Sequence, residues 1–220
     1  MSIVIKICGF RDSVNAIVAA RAGADLLGFI FAPSRRQVTA AEVASIMRDV
    51  RAAGFTTPAV GVFVDPDPVQ LRSDIEISGI DYVQLSGDES PEILAQISLP
   101  VIKVLPAGND DDLDTMLALT ESWRGARHIM LDASIPGVRG GTGKRANWEL
   151  AHALTQHIPV VLAGGLDPDN VAEAIAAVDP FGLDLSTGVE TDGVKDPEKI
   201  ERFIANARKA FADSPSSTII

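Results

Sequence analysis

Cysteine is almost missing from this chain: Cys8 is the sole thiol in 220 residues. One cysteine excludes an intrachain disulfide framework and any cysteine-rich metal centre, and it suits a reducing, cytoplasmic setting. Long apolar runs are also missing. No stretch approaches the ~18 uninterrupted apolar residues of a membrane span. The opening "MSIVIKICGF" is broken by Lys6, so it predicts no leader peptide. Positive charge is scarce, with 19 Lys and Arg against 30 Asp and Glu and a formal net charge of −11. Nucleic acids and acidic membrane surfaces need a basic footprint, so neither is expected as a partner. An anionic ligand would have to be captured by a local site against the global field. Histidine is limited to three residues, which narrows the choice of general acids and bases.

What is present is a regular alternation. Short β-branched runs predict strands at 3–8, 26–31, 59–64, 82–86, 101–105, 128–132, 160–164 and 182–186. Helical patterns lie between and after them, at 12–22, 40–53, 67–78, 90–97, 111–123, 147–156, 168–177 and 196–212. Helix starts carry recognisable signals. "TAAE" at 39–42 reads as a capping box, while "DPDN" (167–170) and "DPEK" (196–199) read as an Asp N-cap followed by proline. Strands alternating with helices imply a parallel sheet. Eight such units in 220 residues predict an α/β fold, a single compact (β/α)₈ TIM barrel over 1–212 with a flexible tail at 213–220. An open doubly wound sheet is the competing arrangement.

In such a barrel the chemistry sits where strands end and lead into helices. The first strand delivers Cys8 there. Buried cysteines usually only pack, but a cysteine on that rim is placed to react. The sixth strand delivers Asp132, whose following helix starts some fifteen residues later and so does not use it as a cap. His128 falls at the opposite end of that strand, and His152 and His157 lie on or after the sixth helix. Asp65 and Asp67 read as structural, the latter as an N-cap before Pro68. Asp184 and Ser186 share one face of the eighth strand, and an inward carboxylate there needs a partner.

The glycine-rich stretch "GVRGGTGK" (137–144) is not a nucleotide loop. A Walker motif needs glycine at 138 and Ser or Thr at 145, where Val138 and Arg145 stand. A loop able to close over a ligand fits better. "LAGGLDPDN" and "LSTGVETDG", after the seventh and eighth strands, occupy the place where barrels hold phosphate with backbone N–H groups. Arg35 and Arg36 leave the second strand together, and one of them can meet a carboxylate as a planar fork.

Several long motifs in order carry a resemblance: "KICG" (6–9), "GFIFAPSRRQV" (28–38), "VGVFVD" (60–65), "VQLSGDE" (83–89), "LDASIPGVRGGTGKRANW" (131–148), "PVVLAGGLDPDNVAEAI" (159–175) and "LSTGVETDGVKDPEKI" (185–200). Nearly end to end, the chain resembles the phosphoribosylanthranilate isomerase family of tryptophan biosynthesis. The resemblance implies Cys8 as general base and Asp132 as general acid. It implies Arg36 at the anthranilate carboxylate, Asp184 in the substrate site, and phosphate held by Gly164, Gly165, Ser186 and Gly188. Gly141, in the loop after the sixth strand, joins the implied substrate-binding set. The implied reaction is an Amadori rearrangement of a phosphorylated sugar carrying an aromatic carboxylate, with no metal and no cofactor.

An ordinary thiol is only a few per cent ionised near neutrality, and the N-terminus of the first helix is expected to raise that fraction. The chain departs from the family pattern at Ser86, where histidine is usual, at Phe10–Arg11, and at Gln37 in place of an aromatic residue. These departures leave room for a related isomerase acting on a different or modified aminated phosphoribose. A sugar-phosphate binder without catalysis is the remaining alternative, and it would need neither Cys8 nor Asp132.

Overall fold

The computed structural model describes residues 2–107, 111–132 and 147–214. Eight parallel strands close into a barrel in sequence order: β1 (Val4–Cys8), β2 (Leu26–Ile30), β3 (Ala59–Phe63), β4 (Tyr82–Leu85), β5 (Val101–Pro106), β6 (His128–Asp132), β7 (Val160–Ala163) and β8 (Gly182–Leu185). β8 returns to β1 through the register Lys6↔Asp184. Around them run α1 (Ser13–Ala22), α2 (Ala40–Ala52), α3 (Pro68–Ser78), α4 (Leu113–Ser122), α5 (Trp148–Thr155), α6 (Val171–Val178) and α7 (Pro197–Ala212). The closed barrel replaces the open doubly wound alternative.

Three elements differ from the sequence reading. The segment at 90–97 is a 3₁₀ helix, Pro91–Gln96, rather than an α-helix. It is one short stretch between β4 and β5 with no buried residue, so no apolar face supports a longer helix. The "DPDN" segment begins later than expected: Asn170 is the N-cap of α6, and Asp167 instead accepts N–H bonds from Asp169 and Asn170 in a preceding turn. A 3₁₀ turn, Thr187–Val189, and a two-stranded ribbon, β9 (Glu190–Thr191) with β10 (Val194–Lys195), intervene between β8 and α7. Two-residue strands give no periodicity to read. Elsewhere the local signals hold. Thr39 and Glu42 form the capping box of α2, and Asp67 and Asp196 cap helices whose first residue is proline.

Two apolar layers result from strand alternation. Odd positions of β1 (Ile5, Ile7) face the helices and join Leu27, Phe29, Leu131, Leu162, Leu183 and Phe203 in the main core. Burying each such side chain stabilises the fold by about 1.5–3 kcal/mol. The opposite face fills the barrel axis with Val60, Ile102, Met130, Val161 and Ala163. Lys6, Cys8 and Asp184 lie on that interior side, by the same alternation. Among the described residues, no helix is long and apolar enough to cross a membrane.

Candidate active site

One ladder organises the rim. The registers Asp132↔Ala163, Ala163↔Asp184 and Asp184↔Lys6 link β6, β7, β8 and β1 in an unbroken row on the interior face. Cys8 stands two residues further along β1, hence directly above Lys6 on the same face. Asp132 and Cys8 are therefore both delivered to the same end of the barrel interior, by β6 and β1. Gly28 on β2 is the neighbour that makes room for the sulfur, since a Cβ there would stand 2.7 Å from Cys8 Sγ.

Beneath the sulfur lies an ion pair in which Lys6, which sequence reading passes over, is the partner that the inward Asp184 needs. Lys6 is 1% exposed, and its Nζ donates to Asp184 Oδ1 at 2.7 Å. Burial pushes the Cys8 thiol up, and the nearby Lys6 and Lys195 charges oppose that shift while Asp184 adds to it. Burial alone would lower Lys6, but Asp184 and Cys8 outweigh it and hold the ammonium above its usual range. The helix expected to activate the thiol begins only at Ser13, and the Asp12 carboxylate already takes the Asn15 N–H at its end. With Lys195 second, the cation that acts most on Cys8 is Lys6. Its signal was present as i, i+2 spacing in "KIC", but a lysine inside an apolar run reads most simply as an interruption.

Beside this pair the rim becomes cationic. Arg36 grips Glu190 with both arms, Nε to Oε1 at 2.6 Å and Nη2 to Oε2 at 2.9 Å. Arg35 reaches Oε2 at 2.7 Å and Lys195 reaches Oε1 at 3.0 Å. Burial works against ionisation of Glu190, but hydrogen bonds and charge from Arg36 and Lys195 hold its carboxyl at about 2. Arg36 is the inner member of the arginine pair, its side chain 14% exposed against 56% for Arg35. Glu190 and Lys195 were not predicted from sequence. Glu190 meets Arg36 across 154 residues, and no local pattern encodes that.

A cavity of about 880 Å³ opens over this cluster, and its lining carries four cations, Arg35, Arg36, Lys199 and Arg202, against three carboxylates, Asp167, Asp169 and Glu190, together with the loops that hold Gly165 and Gly188. Gly165 and Gly188 border the cavity. Gly164 (φ 96°) and Gly165 (φ 67°) are consecutive left-handed residues that turn the chain sharply after β7. A side chain at Gly188 would run into the Leu166 carbonyl, so the two loops touch through that glycine. Ser186 follows β8 beside Gly9 and Lys195: its carbonyl accepts from Lys195 at 2.7 Å, and its Oγ would lie 2.9 Å from a Cβ on Gly9. The acidic chain therefore carries local positive charge in the side chains of Arg35, Arg36, Lys199 and Arg202. Gly141 lies outside the described residues.

Ser86, at the end of β4, accepts from Gln84 Nε2 at 3.1 Å. Gln84 is buried on the same interior face. Among the described residues, no group of three His, Cys, Asp or Glu side chains converges as a metal site.

Comparison with known proteins gives the family and the fold. A family model described as N-(5'phosphoribosyl)anthranilate (PRA) isomerase matches residues 5–206. The chain is 44% identical over 211 residues to the N-(5'-phosphoribosyl)anthranilate isomerase of Roseiflexus castenholzii, covering 94% of this chain and 99% of that protein. It superposes on the phosphoribosyl anthranilate isomerase of Thermotoga maritima with a TM-score of 0.81 at 32% identity, over 94% of this chain and 99% of the other. A further similar structure is a phosphoribosyl anthranilate isomerase in complex with reduced 1-(o-carboxyphenylamino)-1-deoxyribulose 5-phosphate. Its TM-score is 0.76 at 31% identity, again over 94% and 99% of the two chains.

Proposed function

The chain belongs to the N-(5'-phosphoribosyl)anthranilate isomerase family, and we propose that it converts N-(5-phosphoribosyl)anthranilate to 1-(2-carboxyphenylamino)-1-deoxyribulose 5-phosphate, with Cys8 and Asp132 as its acid–base pair. The observation that carries the residue assignment is the ladder from Asp132 through Ala163 and Asp184 to Lys6. It supports one carboxyl and one thiol sharing an interior rim, beside a cavity whose lining has one more cation than carboxylate.

The reaction divides between them. Asp132 gives its proton to the furanose ring oxygen. The C1–O bond breaks, and the nitrogen lone pair forms C1=N. The Cys8 thiolate then takes the C2 proton, and the released electron pair moves into C1=C2, neutralising the iminium nitrogen. The enol so formed loses its hydroxyl proton as C1 gains one, which leaves the C2 ketone. Atoms are only rearranged, so no cofactor is called for.

Binding uses the rest of the rim. Arg36 meets the anthranilate carboxylate with the guanidinium N–H groups that its grip on Glu190 leaves over, since Nε and Nη2 already bond that acid. The loops carrying Gly164, Gly165, Ser186 and Gly188 hold the phosphate, with Arg202 and Lys199 adding positive field. Asp184 acts in the substrate site from the barrel floor, and Gly141 belongs to the loop that completes it. The whole site belongs to one barrel domain, and a small phosphorylated substrate, one reduced thiol and an acidic surface suit a cytoplasmic enzyme without nucleic-acid or membrane partners.

Replacing either member of the pair is the test. Cys8→Ser and Asp132→Asn are each expected to lower turnover by at least about 10²–10⁴ while circular dichroism stays native. Turnover is read as loss of anthranilate-derivative fluorescence with substrate generated in situ. A rate close to that of the unaltered protein in either variant overturns the role assigned to that residue.

A further inference from the structure

Taking an ammonium out of water costs several kcal/mol, so a lysine at 1% exposure inside a barrel needs a reason. Packing does not supply one. The remainder of the axis is filled by apolar side chains such as Val60, Ile102, Met130 and Val161, and a methionine of similar length would continue that layer. The position does supply one. Alternation along β1 sets Lys6 directly below Cys8 on the interior face, and the register with β8 pins its Nζ to Asp184 at 2.7 Å. No side chain from β2 intrudes, because Gly28 is the residue against the sulfur.

We propose that Lys6 is a positioning residue for proton removal, its buried ammonium fixing beneath the Cys8 sulfur the positive charge against which the thiolate base forms. The proposal rests on the reading of Cys8 as general base. Before substrate is attacked, the thiol gives its proton to water and the electron pair stays on sulfur. The thiolate then takes the C2 proton and becomes a thiol again, and Lys6 keeps its protons throughout. Three groups face the sulfur with charge: Lys6 on β1, Asp184 on β8 and Lys195 on β10. Asp132 enters the same rim from β6. Lys195 is already engaged with Glu190 and the Ser186 carbonyl, and Asp184 acts in the opposite sense. Lys6 is thus the cation whose loss the thiol should register most.

Because Cys8 is the sole cysteine of the chain, its ionisation can be followed without interference. The pH midpoint is read from thiolate ultraviolet absorbance and, independently, from the pH dependence of iodoacetamide labelling. Lys6→Met is expected to move the midpoint upward by about one pH unit or more, roughly tenfold less thiolate at a fixed pH. The alkaline-rising limb of kcat/KM should move with it, while KM at high pH stays near that of the unaltered protein. A folded Lys6→Met protein with an unmoved midpoint overturns the proposal.

Lys6→Met strands the Asp184 carboxylate, so the same comparison is made between Asp184→Asn and the double variant Lys6→Met/Asp184→Asn, where no buried charge is left alone. The upward shift is expected there too, and its absence is equally decisive against Lys6. An active Cys8→Ser protein would overturn the base assignment itself. An inactive Cys8→Ser beside an unmoved midpoint overturns Lys6 alone.

Discussion

Two buried glutamates, on opposite sides of the rim, show how one chemistry serves two ends. Glu89 is 2% exposed and closed on all sides. It accepts N–H bonds from Asp65 and Gly87, and it pairs with Lys103 at 2.6 Å. Lys103 in turn donates to the Gly87 carbonyl and lies 4.7 Å from the centre of the Trp123 ring. Glu190 is as deeply placed, at 5% exposure, but it meets Arg35, Arg36 and Lys195, and the cavity opens above it. The first acid is matched by one cation and its own backbone, so it ties the loops after β3 and β4 together. The second is outnumbered, so the cluster keeps a surplus of positive charge facing the cavity. The difference lies in stoichiometry and access, not in residue type.

The largest expected effect breaks the closed cluster. Lys103→Met leaves the Glu89 carboxylate buried with only backbone donors, which should destabilise the protein by about 3–5 kcal/mol in urea unfolding. kcat/KM per folded molecule should not change, because nothing in that cluster lines the cavity. A stability loss below about 1 kcal/mol, or a changed kcat in fully folded protein, would erase the contrast between the two glutamates.

Both clusters should respond to acid: burial raises the Glu89 carboxyl, but Lys103 and backbone N–H groups hold it below its usual range too. The open cluster is the stronger case. Glu190→Gln keeps the shape and one acceptor oxygen but turns the other into an NH2 donor and removes the charge that Arg36 and Lys195 bond, a loss of about 1.5–3 kcal/mol near neutrality. The Glu190 carboxyl stands at about 2 in the folded protein, against about 4.3 when unfolded. A depressed folded value contributes stability above the unfolded one, and that contribution fades as pH falls through the window between them. The difference between Glu190→Gln and the unaltered protein should therefore shrink steadily from about pH 4.3 to about pH 2. A pH-independent difference in chemical denaturation would mean that the cations do not stabilise the ionised form.

This contrast marks the limit of what a sequence discloses. All eight strands appear within a residue or two of their β-branched runs, because burial on both faces makes such runs conspicuous. Cys8 and Asp132 stand out as candidates for the same reason: a reactive residue type ending an apolar strand is conspicuous. Glu190, Lys195 and Lys6 do not, since each acquires its meaning from partners across the barrel, 154 residues away for Glu190 and Arg36 and 178 for Lys6 and Asp184. The Pro91–Gln96 segment failed differently. Its pattern is compatible with a helix, and only the lack of a buried face reduces it to 3₁₀.

The smallest effect tests whether the surplus charge acts as a field or as a contact. Arg202 borders the cavity, and its pair with Asp169 at 3.2 Å is open to solvent, with side chains 52% and 81% exposed. Such a pair contributes about 0–1 kcal/mol, so Arg202→Ala should leave stability almost unchanged. The substrate proposed for the site carries a phosphate and a carboxylate, and losing one nearby cation should raise KM about two- to fivefold at low salt. Screening shortens from about 10 Å at 0.1 M salt to about 3 Å at 1 M, so a field effect should vanish at the higher concentration. A KM increase that persists in 1 M salt would instead place Arg202 in direct contact with the phosphate, and the open cluster would then be a set of ligands rather than a positive potential.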